Sequence, residues 1–182
     1  MMLLKLLASM KTSVDSKVVV LMAQGALSGE FESLAVNIQY LEMDRGRVPN
    51  FGTFLRMLSI SKQFAPDVIQ GWMYHGNIAA FAIAGIACRQ AKLIWNIRQT
   101  LYDLACERPL TRWLIRLSAK LSSAPDKIVY NSVVSADQHE FIGYPKSSRV
   151  VIPNGFDLQR FKPDGLAYKE VRREFGGEGT VP

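Results

Sequence analysis

Short apolar runs that alternate with helical segments constrain the fold of this chain more than any other feature. The runs are rich in β-branched and aromatic residues, as strands are, and they lie at residues 17–23, 36–43, 67–72, 92–97, 126–131 and 148–153. The first run, KVVVLMA, is apolar throughout after its lysine, which is typical of a strand buried on both faces of a parallel sheet. The pattern predicts an α/β fold with a doubly wound, mostly parallel sheet.

The order of the predicted elements has one irregularity, at the start. Helices are predicted at residues 51–64, 77–88, 110–123, 132–143 and 166–176, and leucines at helical spacing predict another within residues 3–10. Doubly wound folds usually begin instead with a strand that lies near the centre of the sheet. Two interpretations are open: the topology is unusual, or the first strand and the loop after it are absent.

The charge and the cysteines limit the class of protein. The net charge is +6, which favours anionic partners such as phosphorylated ligands, acidic lipid surfaces or nucleic acid. The basic residues are scattered over several helices, so we expect no nucleic-acid partner. Cys88 and Cys106 lack metal-ligand spacing, which predicts reduced thiols in a cytoplasmic chain with no metal site. The apolar segment at residues 1–11 is too short for a membrane span.

Polar residues that follow the third strand are the first site candidates, because open α/β sheets bind ligands at the carboxyl ends of their strands. In GWMYHGN, His75 and Asn77 are predicted at a helix start, where backbone N–H groups favour an anion. The structural alternative is that Asn77 is the N-cap and His75 a half-buried loop residue. His139 lies in the middle of a predicted helix, and we expect it at the surface.

Two further strand ends carry polar residues. In WNIRQTLYD, Arg98 and Gln99 are placed to meet a phosphate or sugar, and the alternative is that Arg98 pairs with an acid such as Asp103. In VYNSVVSADQ, Asn131 and Ser132 lie at a strand-to-helix turn, where Ser132 is a natural N-cap without any ligand. No Gly-x-Gly-x-x-Gly follows a strand and no Walker loop is present, which disfavours an unrelated nucleotide-binding domain.

The segment VVIPNGFDLQRFKPD, at residues 150–164, combines a strand with a turn. Gly155 permits positive φ, Asn154 tolerates it, and Pro153 fixes φ beside them. Such a stretch is typical of the exit from a domain. We therefore predict one domain over residues 1–164 and the start of a connection to another over residues 165–182.

Four of these segments together resemble a known family. The succession of APDVIQGWMYHGNIAAFAI, LIWNIRQTLYD, DKIVYNSVVSADQHEFIGYP and VVIPNGFDLQRFKPD resembles the N-terminal domain of family 4 glycosyltransferases of the GT-B fold. The resemblance covers essentially the whole chain, and its most specific part is the last segment. It implies a Rossmann-like sheet that forms the N-terminal half of a GT-B fold, with the first strand missing.

The resemblance also implies roles for residues. The segment with Pro153, Asn154, Gly155, Asp157 and Phe161 matches the hinge at which the family's chain leaves its first domain. A second set matches positions that line the interdomain cleft on the acceptor side: His75, Asn77, Arg98, Gln99, Asn131 and Ser132. No catalytic residue and no metal ligand is implied. Relatives carry a histidine where this chain has Gln70, Gly71 and Trp72, which puts that residue's role in doubt.

The implied function is that of a fragment. Relatives begin with a strand and a glycine-rich loop, and a second domain holds the donor; this sequence matches neither part. The chain would then be a piece of a retaining glycosyltransferase that moves a glycosyl unit from a nucleotide sugar to a polysaccharide, lipid-linked or phosphorylated acceptor. We expect the isolated chain to be inactive and to bind no cofactor. We also expect a cytoplasmic protein with peripheral contact to the inner face of the membrane. The alternative is a non-catalytic acceptor-binding subunit whose partner chain supplies the donor domain.

A missing central strand has a structural consequence. The strands at residues 17–21 and 67–71 would each lack a neighbour on one side, which exposes unpaired backbone groups. We expect weak protection from hydrogen exchange there.

Overall fold

The computed structural model describes residues 2–10, 13–26, 28–34, 36–44, 49–156, 158 and 162–174. Strands and helices alternate through this part of the chain. The strands are β1 (Lys17–Met22), β2 (Asn37–Met43), β3 (Val68–Trp72), β4 (Lys92–Ile97), β5 (Lys127–Tyr130) and β6 (Arg149–Val151). The helices are α1 (Met2–Met10), α2 (Ser28–Ser33), α3 (Phe51–Phe64), α4 (Met73–Ile86), α5 (Pro109–Leu121), α6 (Val133–Phe141) and α7 (Gly165–Glu174).

The strands form two parallel sheets. One contains β1 and β2, and the other has the order β3-β4-β5-β6. The expected α/β fold with parallel strands is therefore confirmed. Among the described residues β1 and β3 do not pair with each other, so each has one edge without a strand partner. The gap between the two sheets therefore lies between β1 and β3, the two strands that the sequence predicts to lack a neighbour.

The larger core surrounds the two central strands of the four-stranded sheet. Trp95 and Ile97 of β4 and Ile128 and Tyr130 of β5 are fully buried, and α5 covers them with Ile115. Consecutive residues are buried in both strands, so both faces of the sheet are covered here, which explains the nearly continuous apolar sequence.

A smaller core joins the two sheets. Leu41 of β2, Met57 and Ile60 of α3 and Ile83 of α4 are buried together. Half-buried residues of β1 and β3 pack against the same group: Val19, Leu21 and Ile69. Every residue of β1 is only half-buried, although its sequence predicts burial on both faces. The difference arises because β1 has a strand partner on one side alone.

Helix α4 begins four residues before the predicted start. Met73 adopts a left-handed conformation with φ of 60°, so the chain passes from β3 into α4 without a loop. Trp72 is the N-cap, and Asn77 is fully buried inside the helix. The interpretation of Asn77 as an N-cap in a strand-to-helix loop is therefore wrong.

His139 is completely buried, so the expectation that it lies at the surface is wrong. Its Nδ1 lies 2.7 Å from the Ser135 carbonyl oxygen, which can only accept, and its Nε2 lies 2.8 Å from the Tyr74 hydroxyl. Nδ1 therefore carries the proton, and Nε2 accepts from Tyr74. The rings of Tyr130 and Tyr144 pack around the imidazole. Tyr130 and Tyr144 lie nine and five residues from His139, whereas Tyr74 is 65 residues away. The local sequence gives no sign that the fold brings Tyr74 to this side of α6.

The described residues of helix α7 contribute no side chain to either core. None of its described residues is buried, and Leu166, Tyr168 and Val171 are largely exposed. Within the described ranges, no helix combines the length and apolar character that crossing a bilayer requires.

Candidate functional site at the carboxyl edge of the sheet

The carboxyl ends of four parallel strands bring the predicted site residues to one edge of the larger sheet. In the register of the sheet, Trp72 lies opposite Asn96. Tyr130 in turn lies opposite both Ile97 and Val151. The segments that leave β3, β4, β5 and β6 therefore emerge side by side, as they do at ligand sites of open α/β sheets.

Arg98 lies at the centre of this edge, directly after β4. Its Nη1 donates to the Ile152 carbonyl at 3.0 Å, and its guanidinium lies 5.6 Å from the centre of the Trp72 ring. In the described part of the chain no carboxylate forms an ion pair with it, and the carboxylate of Asp103 accepts instead from the Ala105 N–H. The alternative of an Arg98–Asp103 pair is therefore wrong. Burial lowers the pKa of the Arg98 guanidinium, which nevertheless stays charged.

The loop after Arg98 is fixed by helix α6. The Ser135 hydroxyl donates to the Gln99 carbonyl at 2.6 Å, and the Leu101 N–H donates to the Gln138 side chain at 2.7 Å. The Gln99 amide nitrogen donates to Glu107 at 2.7 Å. The Gln99 side chain is thus tied to Glu107 and is a part of the loop's own structure.

Asn131 and Ser132 link β5 to α6 beside this loop. The Ser132 hydroxyl accepts from the Ser135 N–H at 3.0 Å, which confirms it as the N-cap. The Asn131 amide nitrogen lies 3.5 Å from the Arg98 carbonyl oxygen. Within the described structure, the buried atoms Asn131 Oδ1 and Arg98 Nε have no hydrogen-bond partner. Both are polar groups at the sheet edge that a ligand or water can satisfy.

His75 and Asn77 lie on different faces of α4. His75 is exposed in the first turn of the helix, and partial burial lowers the pKa of its imidazole, which favours the neutral form. Asn77 is buried against β4, and its Oδ1 accepts from the Asn96 N–H at 3.3 Å. His75 is accessible to a ligand, whereas Asn77 fastens the helix to the sheet.

The exit segment after β6 contacts two cations. Arg98 donates to the Ile152 carbonyl, and Lys5 of α1 donates to the Gly155 carbonyl at 3.2 Å. Asn154 and Gly155 are exposed. Asp157 and Phe161, the other hinge candidates, lie outside the described residues.

Two residues that the sequence analysis did not select contribute to the site. Trp72 supplies the ring beside Arg98, and the Met73 sulfur accepts from the Arg98 N–H at 3.3 Å. Met73 reaches this position through its positive φ, and residues in such rare conformations concentrate at functional sites. The only sequence signal was the position of both residues at a strand end.

The described residues contain no group of three or more His, Cys, Asp or Glu side chains that could hold a metal ion. The chemistry at this edge is that of a cation, an amide and an imidazole, which suits anionic and hydroxyl-bearing ligands.

Comparisons with known proteins agree with this architecture. The model of glycosyltransferase family 4 matches residues 6–160. The crystal structure of HepE from Anabaena in complex with UDP and glucose matches with a TM-score of 0.66 and 17% identity over 96% of this chain. HepE in complex with UDP-glucose matches with a TM-score of 0.68 and 16% identity, again over 96% of the chain. The chain spans 45% of the length of each of these structures.

A search of curated proteins finds no match. The likeness to HepE confirms the expected fold, the Rossmann-like N-terminal half of a GT-B architecture. Since the family model covers most of the sequence, the chain belongs to glycosyltransferase family 4.

Proposed function

We propose that this chain forms the acceptor-binding half of a retaining glycosyltransferase. The observation that carries the proposal is Arg98, a half-buried cation at the carboxyl edge of the sheet with no acidic partner in the described residues. A planar guanidinium in this position suits the phosphate of an anionic acceptor. The acceptor is then a phosphorylated or lipid-linked sugar or a polysaccharide, and the protein acts in the cytoplasm at the inner face of the membrane.

The reaction of the complete enzyme also needs a sugar donor, whose site we assign to a second domain. HepE binds UDP-glucose, which supports a nucleoside diphosphate sugar as donor. In the transfer, the bond between the anomeric carbon and the diphosphate breaks and the acceptor oxygen bonds to the same carbon with retained configuration. The nucleoside diphosphate leaves with the electron pair of the broken bond, and its oxygen takes up the proton that the acceptor hydroxyl loses. Stabilising that leaving charge needs fixed cations near the diphosphate, which we assign to a second domain.

His75 serves this reaction as a contact to a substrate hydroxyl. Its neutral imidazole can accept or donate one hydrogen bond from an exposed position on α4. Asn131 supplies the unpartnered Oδ1 near Arg98. Asn77, Gln99 and Ser132 act as positioning residues, because each already bonds within the chain.

The domain boundary belongs to the same proposal. Residues 1–164 form the acceptor domain, with a hinge at Asn154, Gly155 and Asp157, and residues 165–182 begin the connection to a donor domain. Tyr168 and Val171 lie at i and i+3 on the exposed helix α7 and support this division, because such an apolar face is usually covered by another element.

Binding of a phosphorylated hexose to the purified chain tests the role of Arg98. Glucose 6-phosphate titrated by calorimetry or NMR should bind more tightly than glucose. Arg98→Ala should weaken phosphate-dependent binding by about tenfold or more, as expected for loss of a charge-assisted bond. Arg98→Lys should restore part of it, because lysine keeps the charge but not the planar fork.

Arg89→Ala is the matched control, since Arg89 is exposed before β4, at the opposite edge of the sheet. Equal loss in both variants, or no preference for the phosphate in the wild type, contradicts the assignment. Tight binding of UDP-glucose by this chain alone would place the donor site here and overturn the division into halves.

A further inference from the structure

The outward face of helix α5 combines one exposed tryptophan with cations. Trp113, Arg116 and Lys120 are spaced at i, i+3 and i+7, so they share one face of the helix, and all three are exposed. Trp113 is 57% exposed. The opposite face is buried in the core through Leu114 and Ile115. The helix is therefore held firmly while it presents an indole ring to solvent.

The charge on this helix is of one sign. The sequence of α5, PLTRWLIRLSAKL, contains no acidic residue, and Arg108 precedes it as the N-cap. In the described structure no ion pair involves Arg108, Arg116 or Lys120. Cations near a helix N-terminus oppose its dipole, so helix stability does not explain Arg108.

Neighbouring charged groups are engaged elsewhere. The Arg112 guanidinium donates to the Ala105 and Glu107 carbonyls, which fastens the start of α5 to the preceding loop. In that loop, the Asp103 side chain accepts from the Ala105 N–H and the Glu107 side chain accepts from Gln99. The two nearby carboxylates therefore do not neutralise the outward face of the helix.

An exposed indole between cations suits an anionic lipid surface. Tryptophan favours the interface between headgroups and acyl chains, and lysine and arginine are attracted to acidic headgroups. A protein groove would call for a continuous apolar stripe at i, i+3 or i+4, and i+7. On the outward face of α5, Trp113 is the one large apolar side chain among the described residues that is largely exposed, and Leu117 one turn later is half-buried. The chemistry favours a lipid surface over a protein groove.

We propose that α5 lies on an anionic membrane surface through Trp113, Arg116 and Lys120, with Arg108 at its edge. The helix is one loop away from Arg98, and Gln99 and Arg112 both bind Glu107 within that loop. The contact thus holds the Arg98 loop near the headgroups. The placement of the Arg98 loop near the headgroups rests on the proposed function, because that function supplies the lipid-linked acceptor. The contact between α5 and the lipid surface does not rest on it.

Vesicle flotation with the intact chain tests the proposal. The chain should bind vesicles of phosphatidylcholine and phosphatidylglycerol, bind pure phosphatidylcholine weakly, and dissociate at high salt. The double variant Arg116→Glu/Lys120→Glu should bind anionic vesicles about tenfold more weakly or worse, and Trp113→Ala severalfold more weakly. Tryptophan fluorescence should shift to the blue on binding in the wild type and not in Trp113→Phe.

Lys62→Glu/Arg89→Glu changes the net charge equally on other exposed surfaces and is the control, expected to bind like the wild type. Equal losses in both double variants would mean that net charge alone drives binding. Absence of binding by the wild type also overturns the proposal, as does binding of an oligonucleotide through the same residues without any vesicle binding. Arg98→Ala should keep vesicle binding, and the α5 variants should keep glucose 6-phosphate binding, so the two proposals fail separately.

Discussion

Gly71 is the residue that permits α4 to lie against the end of β3. A Cβ at this position would lie 2.6 Å from Asn77 Cα and 2.7 Å from the Gly76 carbonyl oxygen. Both are backbone atoms, so no side-chain rotation relieves the contact. We expect Gly71→Ala to lower the free energy of unfolding by about 1–3 kcal/mol, measured by denaturant titration.

Gly85, near the end of α4, is the matched control. A Cβ there meets nothing within 4 Å, and alanine favours helix over glycine, so Gly85→Ala should raise stability by about 0.5–1 kcal/mol. If Gly71→Ala unfolds at the same denaturant concentration as the wild type, the close approach of β3 and α4 is wrong.

His139 should make stability depend on pH. Burial lowers the pKa of its imidazole, an effect that the hydrogen bond to Ser135 partly offsets. The unfolded chain therefore takes up a proton more readily than the folded one as the pH falls through about 6.5. Stability should be complete above that pH and fall below it, with a slope that approaches about 1.4 kcal/mol per pH unit for one proton.

Unfolding measured between about pH 5 and 7 tests this slope, in the window where histidine titrates. His139→Gln should remove most of it, whereas His75→Gln should leave most of it, because His75 is exposed and the chain has only these two histidines. If the slope vanishes in His75→Gln instead, His75 causes it, and the assignment to His139 is wrong.

At the scale of elements, the separation of β1 from β3 predicts uneven protection from hydrogen exchange. Amides in β4 and β5 lie between two strand neighbours and should exchange near the rate of global unfolding. Amides at residues 17–21 and 67–71 should exchange faster, because each strand has one partner. Mass spectrometry of exchanged peptides measures this, and uniform strong protection would mean that another segment or chain closes the gap.

The elements themselves were largely predictable. Helix α3 matches residues 51–64 as predicted, since Asn50 caps it and Pro66 follows its left-handed C-cap Ala65. The start of α4 was not predictable, because it depends on the rare conformation of Met73. His139 was missed for a related reason: its buried imidazole bonds to Tyr74, which is 65 residues away in the sequence. Local periodicity carries the first kind of information and none of the second.

The site shows the same division. From the sequence alone, the strand ends predicted the position of Arg98 at this edge of the sheet and the N-cap Ser132. They did not identify the partner of Arg98, the Ile152 carbonyl, which is distant in sequence. They also gave Asn77 and Gln99 as ligand candidates, whereas both side chains bond within the chain.

At the scale of the whole molecule, the chain should not transfer sugar by itself. It spans 45% of the length of the HepE structures, and a donor-stabilising domain is assigned outside it. We expect no transfer of glucose from UDP-glucose to a phosphorylated sugar or an anionic glycolipid. The release of UDP measures the transfer. Detectable transfer by the purified chain contradicts this, and a co-purified partner that restores transfer would support the acceptor-binding subunit instead.

The contact between Arg98 and the Ile152 carbonyl couples two events that are usually treated separately. One guanidinium nitrogen holds the strand exit in place. If a bound phosphate takes this nitrogen from the carbonyl, the exit is released, and the free energy of phosphate binding then includes the cost of that release. Such linkage is reciprocal. A change that strengthens the bond between Arg98 and the exit then lowers the affinity for phosphate by the factor by which phosphate weakens that bond. If Arg98 binds the proposed phosphate in this way, the direction of the chain after β6 depends on whether phosphate is bound.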